Sequence, residues 1–152
     1  MKKADLQKCI LGMVSTNCYF LKNKESGELL IIDPAADPEK IKEKICEMQG
    51  KPVGILLTHG HYDHILAAEE IRKEYGISIY ACREEKPLLG DSAANLSAYS
   101  GPGCSLSADV WLTDLEVFEA AGFSVQMLHT PGHTQGSCCY YLEEEGILFS
   151  GD

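Results

Sequence analysis

The sequence predicts a single α/β domain over residues 1–152, and three observations lead to that class. Apolar strand-like runs alternate with amphipathic helical patterns as far as residue 81. Strand-like patterns then dominate the chain after residue 108. Three of the predicted strands are each followed by residues of metal-binding types. The ends of strands are where α/β proteins commonly carry their functional groups.

The first half is predicted to contain a β-hairpin, two helices and two further strands. In order, these are residues 18–20 and 28–32 (the hairpin strands), 38–49 (helix), 53–57 (strand), 64–75 (helix) and 77–81 (strand). Asp33 and Pro34 end the hairpin, while Pro38 opens the first helix and Gly50 ends it. Gly76 ends the second helix. The strand at residues 53–57 runs directly into a histidine-rich loop.

The second half is predicted to be mostly β-structure. Residues 83–108 are rich in Gly, Ser, Ala and Pro, so we interpret them as a surface excursion near the site, with a turn of helix at residues 86–89. Strand patterns follow near Trp111 and at residues 123–128, 137–142 and 147–149.

Composition restricts the classes of partner. The formal net charge is −10, from 13 Lys and Arg residues against 23 Asp and Glu residues, which disfavours binding to nucleic acid or to an anionic membrane surface. No apolar run has the length of a signal peptide or a membrane span. The seven cysteines include no C-x-x-C pair, so we expect a reduced, cytoplasmic setting, with Cys138 and Cys139 as small core residues.

One loop carries most of the metal-binding capacity of the chain. Residues 58–64 read Thr-His-Gly-His-Tyr-Asp-His and supply His59, His61, Asp63 and His64. Imidazole nitrogens and a carboxylate oxygen suit zinc (Zn), iron (Fe) or manganese (Mn). Alternate spacing along an extended segment points the first three of these side chains to one side. The other interpretation is a polar turn in which Asp63 caps the next helix, but four ligand-type residues in one turn favour a metal.

Two more candidates also follow predicted strands. His133 comes after Pro131-Gly132, and Asp152 comes after Ser150-Gly151. Taken alone, His133 would be a surface or hydrogen-bonded histidine and Asp152 an ordinary carboxylate; the cluster at residues 58–64 raises the case for both. His129 is a lower-ranked alternative, as a ligand or as a donor to one.

Together these residues resemble the metallo-β-lactamase superfamily, and within it the glyoxalase II-like (hydroxyacylglutathione hydrolase-like) hydrolases. The resemblance rests on residues 58–64, on Thr-Pro-Gly-His-Thr at 130–134 and on Phe-Ser-Gly-Asp at 149–152, with Asn-Cys-Tyr at 17–19 and Ile-Asp-Pro at 32–34. It implies a four-layer αβ/βα sandwich with a two-metal site at one edge. The metal is usually zinc, although iron and manganese also occur in this branch.

The resemblance also implies roles for the candidate residues. His59, His61 and His133 would hold the first metal, Asp63 and His64 the second, and Asp152 would bridge both. A metal-bound hydroxide would be the nucleophile that attacks a small thioester or ester, since a bound cation acidifies water and stabilises the developing oxyanion. Asp63 would have a catalytic role as well, by orienting the attacking water or accepting its proton.

The sequence departs from the family pattern after Asp152, where the family continues with strands, a helix and a further histidine. We therefore expect an incomplete C-terminal part of the fold, tight occupancy of the first metal position and weaker occupancy of the second. Either two chains pair through the incomplete sheet as a homo-oligomer, or the 152 residues are part of a longer protein.

Three functions remain open from the sequence. The first is hydrolysis of a small thioester or ester, although glyoxalase II itself carries a C-terminal substrate-binding domain that is absent from these residues. The second is a mono-iron sulfur (persulfide) dioxygenase. The third is an inactive metal-binding fragment or interaction module. No feature identifies a lactam pocket, and the acidic balance disfavours nucleic-acid processing.

Overall fold

The computed structural model of the chain describes residues 3–12, 15–93, 95 and 106–151. The elements within these ranges are β1 (Ala4–Leu11), β2 (Thr16–Asn23), β3 (Glu28–Ile32), α1 (Pro38–Met48), β4 (Lys51–Leu56), α2 (Tyr62–Ile65), α3 (Ala68–Tyr75), β5 (Ser78–Cys82), α4 (Lys86–Leu89), β6 (Val110–Leu112), β7 (Val117–Ala120), β8 (Phe123–His129), β9 (Cys138–Leu142) and β10 (Ile147–Phe149). Short 3-10 turns cover Arg83–Glu85 and Glu143–Glu145.

The strands form two sheets. The larger sheet has the order β1-β2-β3-β4-β5-β6, and the smaller has the order β10-β9-β8-β7. Strands β1 to β3 pair antiparallel, whereas β3 to β6 pair parallel. Parallel neighbours need a crossover, and the helices α1 and α3 supply it between β3 and β4 and between β4 and β5. The carboxyl ends of β3, β4 and β5 therefore lie at one edge.

Strand β3 shows why the two sheets and the helices pack as layers. Its side chains alternate between two apolar clusters: Leu29 and Ile31 pack towards the helices, and Leu30 and Ile32 pack towards the smaller sheet. All four are buried, which explains the continuous apolar run in the sequence. The part of the site that follows β3 is thus built on a strand that is packed on both faces.

The predicted α/β class is confirmed, and the described residues form three of the four layers of the expected sandwich. Helices cover one face of the larger sheet, and the smaller sheet covers the other. On the smaller sheet, alternate residues such as Val125 are buried while Ser124 and Val117 are exposed. No described helix covers that outer face. Nor does any helix in the described ranges have the length and apolar character needed to span a bilayer.

The prediction of one helix over residues 64–75 is wrong, because two helices replace it. Between α2 and α3, the amides of Leu66 and Ala67 donate to the carbonyls of Ala35 (3.1 Å) and Pro34 (3.0 Å). These bonds to the loop after β3 take the place of bonds within a continuous helix. Pro34 and Ala35 are distant in sequence, so the local pattern could not show the break.

The sequence analysis missed the strands β1 and β7. Both lie at sheet edges, and each exposes apolar side chains, such as Ile10 on β1 and Val117 on β7. The start of β1 is held by the buried carboxylate of Glu145, which accepts hydrogen bonds from the amides of Lys3 (3.1 Å) and Ala4 (3.0 Å). That anchor joins β1 to the turn that precedes β10.

The two neighbouring cysteines of β9 differ in environment. Cys138 is buried between the sheets, as expected of a core residue, and burial raises the pKa of its thiol. Cys139 lies on the opposite face of the strand and is only partly buried, so the expectation of a core position fails for it.

Candidate metal centre

The histidine-rich loop follows β4 and is anchored through Thr58. The Thr58 amide donates to Asp33 Oδ1 (2.8 Å), and the Thr58 hydroxyl donates to Asp33 Oδ2 (2.6 Å). The Thr58 carbonyl accepts a hydrogen bond from the amide of Cys138 (2.8 Å), the first residue of β9. Since Asp33 follows β3 and Cys138 opens β9, these bonds fix the loop between the ends of both sheets.

His133 lies in a closed loop between β8 and β9. The Thr130 amide donates to the Ser137 carbonyl (2.9 Å), and the Ser137 side chain accepts from the Thr134 amide (2.9 Å). Gly132, next to His133, has a φ of 155°, in the range that favours glycine. The loop therefore projects His133 from a base that Ser137 holds through both its carbonyl and its side chain.

The two loops bring three imidazole rings together. The ring centroids of His59, His61 and His133 are 5.2, 4.8 and 4.7 Å apart in pairs, and their ligand nitrogens all lie within 4.8 Å of one another. His61 Nδ1 and His133 Nε2 are 3.0 Å apart. Two nitrogens bound to one tetrahedral zinc ion lie about 3.3 Å apart. The donor set and its spacing therefore fit a divalent cation.

A second group shares His59 and adds Asp63 and His64, again with ligand atoms within 4.8 Å. His64 Nε2 lies 3.6 Å from Asp63 Oδ2. On the other side of the ring, His64 Nδ1 lies 2.8 Å from Asp33 Oδ2. Because a carboxylate accepts, Nδ1 donates its proton to Asp33, and the other ring nitrogen, Nε2, faces Asp63. The ring is thus oriented for coordination through Nε2.

Burial keeps the central rings neutral. Desolvation lowers the pKa of His59 to about 3, with a further lowering from the neighbouring His64. The pKa of His61 is also lowered, first by desolvation and then by His133. A neutral imidazole is the form that binds metals. The site is therefore ready for a cation at neutral pH without having to lose protons from these two rings.

Two buried carboxylates support the loops, and the sequence analysis assigned a function to neither. Asp33 appeared there only as a strand end and within a resembling segment. Glu85 lies in the charged run Arg-Glu-Glu-Lys at residues 83–86, in which nothing local distinguishes it from Glu84. In the structure Glu85 is 1% exposed and accepts hydrogen bonds from Gly60 and from the loop of His133.

The remaining candidates differ in placement. His129 belongs to neither group of ligand atoms among the described residues; its Nε2 lies 2.8 Å from the Gln135 carbonyl. Asp152 lies outside the described residues. Its neighbour Gly151 has a φ of 66°, and a Cβ there would lie 2.5 Å from Thr58 Oγ1. Only glycine fits this close approach of the segment after β10 to the histidine loop.

A cavity of about 430 Å³ opens beside the second group. Asp63 and His64 line one side of it, and Tyr19, Phe149 and Asn17 line others. Both polar and apolar side chains therefore face the space next to the candidate metal ligands.

Comparison with known proteins gives the same family. The family model of the metallo-beta-lactamase superfamily matches residues 11–152. The probable metallo-hydrolase YqgX of Bacillus subtilis is 34% identical over 149 residues, covering 93% of this chain and 67% of that protein. The hydroxyacylglutathione hydrolase GloC of Haemophilus influenzae is 31% identical over 139 residues, covering 90% of this chain and 65% of that protein.

Among solved structures, BLEG-1, a B3 metallo-beta-lactamase, superposes with a TM-score of 0.89 at 35% identity, covering 96% of this chain and 71% of that one. The chain thus spans about two thirds of the length of the curated relatives it matches. The fold, the match over residues 11–152 and these relatives agree with the resemblance found in the sequence: the chain belongs to the metallo-beta-lactamase superfamily.

Proposed function

We propose that this domain is a metal-dependent hydrolase of a small thioester or ester. The observation that carries the proposal is the convergence of His59, His61 and His133, from two loops and two sheets, on a space with ligand nitrogens within 4.8 Å. The similarity to YqgX, a probable metallo-hydrolase, and to GloC, a hydroxyacylglutathione hydrolase, supports this reaction class.

The three rings of the first group would hold one divalent cation, most simply zinc, with iron or manganese as alternatives. Asp63 and His64 would hold a second and weaker one, together with Asp152. When bound, such a cation polarises a carbonyl group and acidifies water. The close packing of Gly151 on Thr58 supports a role for Asp152, because it brings the preceding residue to the histidine loop.

Asp63 is the residue that we expect to handle the proton. Its side chain is 24% exposed and lines the cavity, so it can reach a water molecule there as well as the metal ligands. A carboxylate in that position can orient the attacking water and accept its proton. His64 is held by Asp33 through Nδ1 and turns Nε2 towards Asp63, and both residues line the same cavity, so a second cation there would face the space proposed for the substrate.

The cavity supports a small-molecule substrate. At about 430 Å³ it has the size of an ordinary small-molecule site, and the net charge of −10 disfavours nucleic acid as the substrate. The thioester class is supported by the glyoxalase II-like motifs of the sequence and by the similarity to GloC, whereas the similarity to BLEG-1, a B3 metallo-beta-lactamase, makes a lactam the competing substrate. Pairing of two chains along the edge of β10, beyond which the described residues place no further strand, stays a prediction.

The test compares His133→Ala with His129→Ala in the full chain. Both residues are partly or fully exposed histidines near the end of β8, but only His133 belongs to a group of ligand atoms. We expect His133→Ala to lower the metal content measured by elemental analysis and to reduce thioester hydrolysis by about 100-fold or more. His129→Ala should leave both within about twofold of the parent.

The substrate panel separates the alternatives. It contains a glutathione thioester, an aryl ester, a chromogenic β-lactam and, with oxygen consumption recorded, a glutathione persulfide. Preference for the lactam would refute the thioester class, and oxygen uptake with the persulfide would replace the hydrolase by a dioxygenase. Metal binding without turnover of any substrate would favour the inactive module. Equal losses in the two histidine variants would refute the first metal position.

A further inference from the structure

We propose that Glu85 is a positioning residue that holds the two loops of the first metal position in their mutual arrangement. This inference rests on the proposed metal site, and it assigns a role to a side chain that lies outside the ligand set. Glu85 ends the 3-10 turn Arg83–Glu85, which follows β5, and it is 1% exposed.

The carboxylate of Glu85 joins segments that are far apart in sequence. Oε2 accepts hydrogen bonds from the Gly60 amide (2.7 Å) and from the Thr134 hydroxyl (2.6 Å). Oε1 accepts a hydrogen bond from the Gly136 amide (3.0 Å). Gly60 is 25 positions away, and Gly136 is 51 positions away. One buried side chain therefore connects three elements: the histidine loop, the His133 loop and the end of β5.

The points of attachment adjoin the ligands themselves. Gly60 lies between His59 and His61, and Thr134 follows His133. His61 Nδ1 and His133 Nε2 approach to 3.0 Å although their residues are 72 positions apart. Because one carboxylate oxygen accepts from both loops, movement of either loop away from the other stretches a bond to Glu85. The bridge thus constrains the distance on which shared coordination depends.

Both oxygens are needed as acceptors. Within the part of the chain that the structure describes, each donor to the Glu85 carboxylate is a main-chain amide or a hydroxyl, and an ionised carboxylate accepts at both oxygens. A glutamine at this position has one carbonyl oxygen and one amino group. Whichever way its amide is turned, the amino group faces a buried N–H or hydroxyl donor, so at least one attachment is lost or reversed.

The packing around Glu85 leaves no room for a side chain at Gly60 or Gly136. A Cβ on Gly136 would lie 2.3 Å from the Glu85 nitrogen, and a Cβ on Gly60 would lie 2.7 Å from Leu89 Cδ2. Both glycines are therefore in direct contact with the segment at residues 83–89. The two loops pack against this segment, and Glu85 accepts the hydrogen bonds that join them to it.

The test measures the metal affinity of the full chain by competition with a chromogenic chelator, using Zn²⁺ alone. Loss of a group that orients metal ligands commonly weakens metal binding by about 10- to 100-fold, and we expect this range for Glu85→Gln. The matched control is Glu145→Gln, a buried glutamate that also accepts main-chain amide hydrogens. Glu145 lies before β10 and makes these hydrogen bonds to the start of β1, not to the histidine loop or the His133 loop. Its substitution should therefore leave the zinc affinity within about twofold of that of the parent.

A spectroscopic measurement separates positioning from general destabilisation. With Co²⁺ in place of zinc, Glu85→Gln should shift or weaken the visible absorption bands that report ligand geometry, whereas Glu145→Gln should not. If Glu85→Gln fails to fold, Thr134→Val removes one of the three donors, and Thr134→Ser keeps the hydroxyl. We expect the valine variant to bind zinc several-fold more weakly and the serine variant to restore the parental affinity, to within about twofold.

If Glu85→Gln keeps the zinc affinity and the cobalt spectrum of the parent, the inference is overturned but the proposed metal site stands. If Glu85→Gln does not fold, the same result in Thr134→Val has the same meaning. Equal weakening of zinc binding in Glu145→Gln would also overturn the inference, because loss of any buried glutamate would then have the same effect as loss of Glu85. A parent chain that binds no zinc would refute the proposed metal position, and the role of Glu85 with it.

Discussion

Replacing Asp33 with asparagine should lower the free energy of unfolding of the metal-free chain by about 2–4 kcal/mol. Asp33 is 3% exposed and accepts three hydrogen bonds from side chains or amides: the Thr58 amide (2.8 Å), the Thr58 hydroxyl (2.6 Å) and His64 Nδ1 (2.8 Å). Asparagine has one acceptor oxygen, so its amino group must face at least one of these buried donors. Each buried donor left without an acceptor costs about 1–3 kcal/mol, and the remaining bonds lose the contribution of the negative charge.

Asparagine is the appropriate substitution because of the backbone. Asp33 has a φ of 54°, in the left-handed region that asparagine tolerates about as well as aspartate. The expected loss therefore comes from the hydrogen bonds and not from backbone strain. The matched control is Asp109→Asn, whose side chain is 41% exposed and accepts from the Ile79 amide (2.8 Å) and from Arg72 (3.3 Å).

The measurement is urea unfolding followed by circular dichroism, with a chelator present in all samples. A loss of about 2–4 kcal/mol corresponds to a midpoint shift of about 1–2 M urea for a slope of about 2 kcal/mol per molar. Asp109→Asn should cost less than about 1 kcal/mol, because water can replace its partners. A parental midpoint in Asp33→Asn, or equal shifts in the two variants, would refute the reasoning from buried acceptors.

Two further predictions concern a close approach and a titration. Gly136→Ala should destabilise the chain by about 1–3 kcal/mol in thermal unfolding, since its Cβ would lie 2.3 Å from main-chain nitrogen of Glu85. Gly90→Ala, whose Cβ would lie 3.6 Å from its nearest neighbour, should stay within about 0.5 kcal/mol, and similar losses in both would contradict the steric explanation. The pKa of His59 is about 3 in the folded chain, against an ordinary value of 6.5. Between these two values the unfolded chain binds a proton at His59 that the folded chain does not bind, so the free energy of unfolding falls as the pH drops from 6.5 towards 3. Between about pH 7 and 5 this ring should remove about 2 kcal/mol from the metal-free parent, and His59→Gln should flatten that slope in urea unfolding; parallel curves would refute the assignment.

The elements that the sequence predicted are those whose pattern is local. The helix α1 has Pro38 at its start and a buried face of Ile41, Ile45 and Met48, all visible within eleven residues. The strands β3 and β10 begin and end where the sequence analysis placed them. Four candidate ligands likewise lie within six positions, so one loop was enough to suggest a metal.

The features that the sequence could not predict depend on partners far along the chain. The break between α2 and α3 is made by carbonyls of the loop after β3, and the hydrogen bonds of Glu85 form only once Gly60 and Gly136 have been brought to it. The edge strand β7 has a pattern close to that of a loop, because it is four residues long and none of its residues is fully buried. Spacing alone could not decide between His133 and His129, and their different surroundings in the folded chain now distinguish them.

The first ligand group draws on both layers of strands, since His59 and His61 follow β4 of the larger sheet and His133 follows β8 of the smaller one. A cation shared among them would fasten the layers together and close a ring of 72 residues between His61 and His133. Cross-links over rings of that length reduce the freedom of the unfolded chain much as a disulfide does. Metal supply would then govern how long the folded chain survives proteases as well as how fast it turns over substrate.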